Sequence, residues 1–114
     1  LSIPAALAAM ADMVEGGWPE VRRRNRALAL RAREILCDAL AVPPPCPDAM
    51  IGSLASIPLP DGNPDPPTSP LYCDPLQDEL LLAHGIEVPV IPWPTPPRRF
   101  MSCTCSWSIF MIPP

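Results

Sequence analysis

The chain contains no lysine: all eight of its basic residues are arginine. It has a single histidine, His84, and only five glycines in 114 residues. Without lysine there is no Schiff base to a cofactor aldehyde, no P-loop and no lysine general base. One histidine with no placed nucleophile makes no Ser-His-Asp triad. Positive charge is also scarce. The formal net charge is −4, which argues against a phosphate-backbone binder, since such proteins accumulate cations, and no nucleic-acid partner is expected. Long apolar runs are missing as well. No segment reaches the roughly 18–20 unbroken apolar residues that cross a bilayer. No basic region precedes an apolar stretch in the manner of a secretory signal. A cytoplasmic protein with no membrane partner is therefore expected. The first residue, Leu1, falls in the approach to a helix, which reads as part of a longer protein.

Proline and cysteine, by contrast, are plentiful. Twenty residues are proline, against an average usage of about 5%. They cluster and leave two long proline-poor segments, so they mark loops and strand edges within one small domain. The cysteines are Cys37, Cys46, Cys73, Cys103 and Cys105. None forms a C-x-x-C pair, and Cys103-x-Cys105 is not a recognised zinc spacing. Free, mostly buried thiols of a reducing compartment are expected, with no metal.

Two helices are predicted first. One runs from Ile3 to Val14, capped by Ser2, with Pro4 in the first turn and Gly16-Gly17 as its end. The other starts near Pro19 and continues to Leu40, where Pro43-Pro44-Pro45 stops it. Val21, Leu28, Ala32, Ile35 and Ala39 give the second helix an apolar stripe at helical spacing. Its arginines, Arg22, Arg23, Arg24, Arg26, Arg31 and Arg33, read as a solvated face because the chain as a whole is acidic.

Ala49 to Ile57 is short, apolar and bounded by Pro58, which predicts a strand. Residues Asp61 to Asp74 form a loop. Asp74-Pro75-Leu76-Gln77 is a helix start, with Asp74 as cap and Gln77 reaching back to the cap backbone, and Gly85 closes that helix. His84, in its last turn, suits a surface residue. Ile86 to Trp93 predicts an edge strand, and Pro94 to Pro97 an extended link. A strict alternation follows, with Met101, Cys103, Cys105, Trp107 and Ile109 on one face and Ser102, Thr104, Ser106 and Ser108 on the other. The predicted fold is α+β: a small antiparallel or mixed sheet of about three strands packed against two or three helices.

Four segments in order carry a resemblance. They are Arg24 to Leu30 running on to Ile35–Leu40; Pro43 to Pro47 with Met50 to Ala55; Leu76-Gln77-Asp78 with His84 to Val90; and Pro92-Trp93-Pro94 with Pro96 to Arg99. Together they resemble the C-terminal small domain of class V aminotransferase-fold, pyridoxal phosphate (PLP)-dependent enzymes, most closely the isopenicillin N epimerase-like group. The resemblance covers residues 1–99 and leaves 100–114 as a divergent terminal strand and tail. It implies that the PLP-bearing lysine lies in a preceding large domain. It also implies carbanion chemistry on an amino-acid-like substrate with PLP as electron sink, and partners in the form of that domain and a second subunit of a homodimer. No catalysis and no bound cofactor are then expected of these 114 residues alone. The family supplies an arginine for the substrate carboxylate from an Arg-Ile-Ser strand, and that arginine is absent here. Arg98 and Arg99, which match the family's arginine pair, are left as the candidate substrate-binding residues. A departure after so consistent a match points to a frameshift, a gene remnant or a misassembled reading frame. The competing reading is a small proline-rich interaction module without catalysis, offering segments such as Pro94 to Pro97 to an aromatic groove.

Overall fold

A computed structural model describes residues 2–67, 69 and 73–104. It has the α+β architecture expected, with α1 at Ile3–Asp12, α2 at Gly17–Leu40 and α3 at Pro75–His84. The strands are β1 at Leu54–Leu59, β2 at Val90–Pro92 and β3 at Arg99–Thr104. The sheet order is β1-β3-β2, antiparallel throughout. The strand that closes the chain's described part is thus the central one, and the division at residue 99/100 falls inside it. Among the described residues, no helix is long and apolar enough to cross a membrane.

The core lies between α2 and one face of the sheet. Ala29 and Cys37 of α2 meet Ile51, Ala55, Ile57 and Met101. Ile57 and Met101 are direct cross-strand partners, and Val90 faces Met101 from the other side. Small side chains on α2 let its backbone come close to the strands, and larger ones on the sheet fill the space. This differs from the predicted stripe. Val21 is buried, but Leu28, Ile35 and Ala39 are exposed and Ala32 is only half-buried. The buried set is Val21, Ala29, Arg33 and Cys37, a ridge displaced around the helix. Periodicity found a stripe of large apolar residues. Packing selected the stripe whose small residues fit the sheet, and it tolerated an arginine there because that arginine has partners.

The arginines are accordingly not one solvated face. Arg23 and Arg24 both bond the Glu20 carboxylate, at 2.7 and 2.6 Å, and Arg31 bonds Glu34 at 2.6 Å. Arg26 instead donates to the carbonyls of Ile51 at 3.0 Å and Asp48 at 2.8 Å. Arg33, 4% exposed, donates to the Cys46 carbonyl at 2.9 Å and pairs with the Asp48 carboxylate. The two pin the segment after the triple proline along α2. That segment is a short 3-10 turn, Asp48–Met50, and not the start of a strand. Met50 and Ala49 are exposed there, and β1 begins only at Leu54. Pro58 lies within β1, opposite Phe100. An edge strand accepts proline because one of its sides has no ladder to lose.

Element ends were also shifted. Ser2 precedes α1 without a side-chain cap bond; its carbonyl accepts from Ala5 and Ala6 instead. Gly16, at φ 95°, serves as the entry to α2, which therefore begins two residues before Pro19. Asp74 caps α3 as expected, its carboxylate accepting from the Leu76 N–H at 3.0 Å. Gln77 does not reach back; its Oε1 accepts from the Val90 N–H at 2.9 Å and ties α3 to the edge strand. Gly85 ends α3 at φ 65°, and the Ile86 N–H is spent on the Leu80 carbonyl. Ile86 thus belongs to the helix end, and β2 is shorter than the predicted Ile86–Trp93. Pro94 to Pro97 is not an extended link. It is the tight loop of the β2–β3 hairpin, closed by the Trp93 N–H on the Arg98 carbonyl at 3.0 Å. The alternation at Met101 and Cys103 holds in β3. Its continuation through Cys105, Trp107 and Ile109 lies outside the described residues.

Candidate docking site

The sheet has two unlike faces. Period-two geometry puts Ala55, Ile57, Cys103, Met101 and Val90 toward α2. The same register places Leu54, Ser56 and Pro58 of β1, Phe100 and Ser102 of β3, and Ile91 of β2 on the opposite face. All three described helices leave that face open: α2 alone packs substantially on the strands, and from the other side. Trp93 joins it from the end of β2. Ser56, Ile91, Trp93, Phe100 and Ser102 line a shallow concavity of about 380 Å³. None of these five carries a charge. Trp93 is 66% exposed, Ile91 49% and Leu54 47%. Two serine hydroxyls side by side at the cross-strand pair Ser56–Ser102 are the polar groups of this surface.

A contiguous apolar face around an exposed tryptophan is unlike the scattered apolar atoms of an ordinary surface, and it is the kind of patch that marks an interface. An indole brings large contact area with a single N–H to satisfy. The chemistry available is therefore association by burial, with Ser56 and Ser102 able to donate and accept hydrogen bonds at its centre. The alternation reading missed this site because it began at Met101 and treated the opposite face as the hydroxyl face. Phe100, one residue earlier, shares that face with Ser102, and Ile91 stands opposite Phe100. The signal lay in extending the period one position toward the N-terminus.

The structure places Arg98 and Arg99 apart in role. The Arg98 side chain is exposed. Arg99 is turned inward: its Nη1 meets Asp74 Oδ1 at 2.6 Å, and its Nε donates to the Pro60 carbonyl at 2.8 Å. The same Asp74 oxygen caps α3. Asp74 is buried and Arg99 largely so. A guanidinium so engaged ties three segments together and does not offer its fork to a substrate carboxylate. A second concavity, about 510 Å³, runs beside α2 past Leu30, Cys37, Asp38 and Val42. Its buried cation, Arg33, is held by Asp48 and Cys46.

Among the cysteines, Cys37 is buried, Cys46 and Cys103 are half-buried and Cys73 is exposed. Cys105 lies outside the described residues. His84 is exposed in the last turn of α3. Among the described residues, no three His, Cys, Asp or Glu side chains converge as a metal site would require. Comparison with known protein families, with curated proteins and with solved structures finds no match.

Proposed function

We propose that the chain is the small C-terminal domain of a PLP-dependent enzyme of the class V aminotransferase fold, similar to the isopenicillin N epimerase-like group. Its task is to dock on a larger domain through the open sheet face. The observation that carries this reading is the uncharged surface of Leu54, Ile91, Trp93 and Phe100, on a sheet that α2 covers from one side only. The ordered resemblance over residues 1–99 supports it and names the partner. A two-layer unit with a bare apolar face completes itself by adding a third layer.

The residues present do not fit PLP. The chain has no lysine to carry the cofactor, and its buried arginines are engaged by Asp48 and Asp74. The cofactor and the carbanion chemistry on an amino-acid-like substrate therefore belong to the large domain and to a homodimer formed by the complete enzyme. Arg98 is the cation left facing outward from the family's pair, so it is the residue proposed to approach a substrate carboxylate. The setting is the cytoplasm, where cysteine thiols remain reduced.

The test is the DNA on both sides of this coding segment. The expected result is an upstream open frame encoding a PLP-binding lysine, with Arg-Ile-Ser followed by a helix in a shifted downstream frame. Absence of both would overturn the assignment.

A further inference from the structure

We infer that the concavity on the open sheet face is built for one aromatic side chain with a neutral hydroxyl tip, so that the partner domain anchors there by a tyrosine. This rests on the docking reading above and names what the partner presents. The concavity of about 380 Å³ lies near the lower end of the roughly 300–1,000 Å³ that small-ligand pockets span. It has room for one ring-bearing side chain of a larger surface. Trp93, Phe100 and Ile91 give it aromatic and branched apolar walls. Aromatic rings bury large areas and pack on one another in offset or edge-to-face arrangements. Aromatic anchors in well-packed pockets carry much of the energy of many interfaces.

Ser56 and Ser102 decide what the ring must carry. They are direct cross-strand partners, so their Cβ atoms stand about 5 Å apart. Both residues are half-buried, and neither hydroxyl is bonded to another described residue. Each hydroxyl can donate once and accept twice. A phenol hydroxyl does both as well, so it gives its proton to one serine and accepts from the other. An indole N–H only donates, and a plain phenyl ring covers both serines without a partner, which costs free energy. A carboxylate or an ammonium would be desolvated against a lining that has no charge. Among the aromatic side chains, tyrosine alone meets the apolar walls and the hydroxyl pair together.

An NMR titration of the full 114-residue chain, nitrogen-labelled, tests this with para-cresol, the analogue of the tyrosine side chain, beside toluene and para-toluate. The expected result with para-cresol is a shift of the Ser56, Ile91, Trp93, Phe100 and Ser102 amides, saturating at about millimolar concentration. The Trp18 indole, bonded to the Leu7 carbonyl, stays in place. Para-cresol binds about fivefold more tightly than toluene, the net effect of one hydrogen bond. Para-toluate, which is charged, binds more weakly than para-cresol. The double variant Ser56→Ala, Ser102→Ala binds para-cresol and toluene alike. Should it lose native circular dichroism, Ser102→Ala alone is read in its place. Equal binding of toluene and para-cresol by the native chain, tighter binding of para-toluate, or an unchanged preference in the serine variant overturns the tyrosine anchor and leaves an apolar docking face. No shift at the five residues with any probe overturns the anchor and the docking face together.

Discussion

Replacing Asp74 dissects the junction that holds three segments of the chain together. One carboxylate oxygen accepts from the Leu76 N–H at 3.0 Å and from Arg99 at 2.6 Å. Arg99 in turn holds the Pro60 carbonyl at 2.8 Å, so the cap of α3, the end of β1 and the start of β3 share one node. Asp74→Ser keeps a side-chain oxygen for the cap and removes the charge. Arg99 is then left largely buried without its counter-ion, a change that costs about 3 kcal/mol for buried pairs. Asp74→Ala removes the cap as well and adds about 1 kcal/mol. Chemical denaturation of both variants measures the two losses separately. The double variant Asp74→Ser with Arg99→Met recovers part of the first loss, since the stranded cation is gone. A small domain has roughly 5–15 kcal/mol in all, so the midpoints move far. If Asp74→Ser shifts the unfolding free energy by less than about 1 kcal/mol, the pair is a surface contact, and Arg99 becomes available to a ligand after all.

Other consequences are as specific. Hydrogen bonds from Arg23 and Arg24 lower the Glu20 carboxyl from its ordinary 4.5 to about 2. Because the folded value is depressed, the contribution of this group to stability is present above pH 4.5 and is lost as pH falls toward 2. A side-chain carboxyl NMR titration reads the midpoint, and Arg23→Ala raises it. Ile57→Ala opens a cavity at the most deeply buried large side chain and costs about 2–5 kcal/mol in denaturant titration. Ala41 ends α2 in the left-handed region at φ 53°, so Ala41→Gly stabilises by about 1 kcal/mol, visible as a higher thermal midpoint.

Local chemistry was the most legible part of the fold. Asp74-Pro75 and Gly85 bracket α3 because each supplies a backbone group or conformation that a helix end lacks. The alternation at Met101 and Cys103 placed β3 because the sheet's core face is buried and register must follow it. What was not legible depended on which neighbour a residue meets. The ridge of α2 that enters the core is chosen by side-chain size against Ala55 and Ile57, and periodicity weighs only polarity. Arg26 and Arg33 look like surface charge until the post-helix segment supplies carbonyls and Asp48. The open face was hidden for a related reason. It draws on β1, β2 and β3 together, and its residues lie in three separate stretches, Leu54–Pro58, Ile91–Trp93 and Phe100–Ser102.

The central claim is that this open face is a docking surface and not part of the chain's own core. The direct measurement is apolar-dye binding, read together with sedimentation, on the native chain and on the double variant Ile91→Lys, Trp93→Lys. The account predicts that the variant keeps native circular dichroism and thermal midpoint, loses most of the dye signal and no longer associates through the sheet face. A variant that unfolds, or one that binds dye as strongly as the native chain, would contradict it.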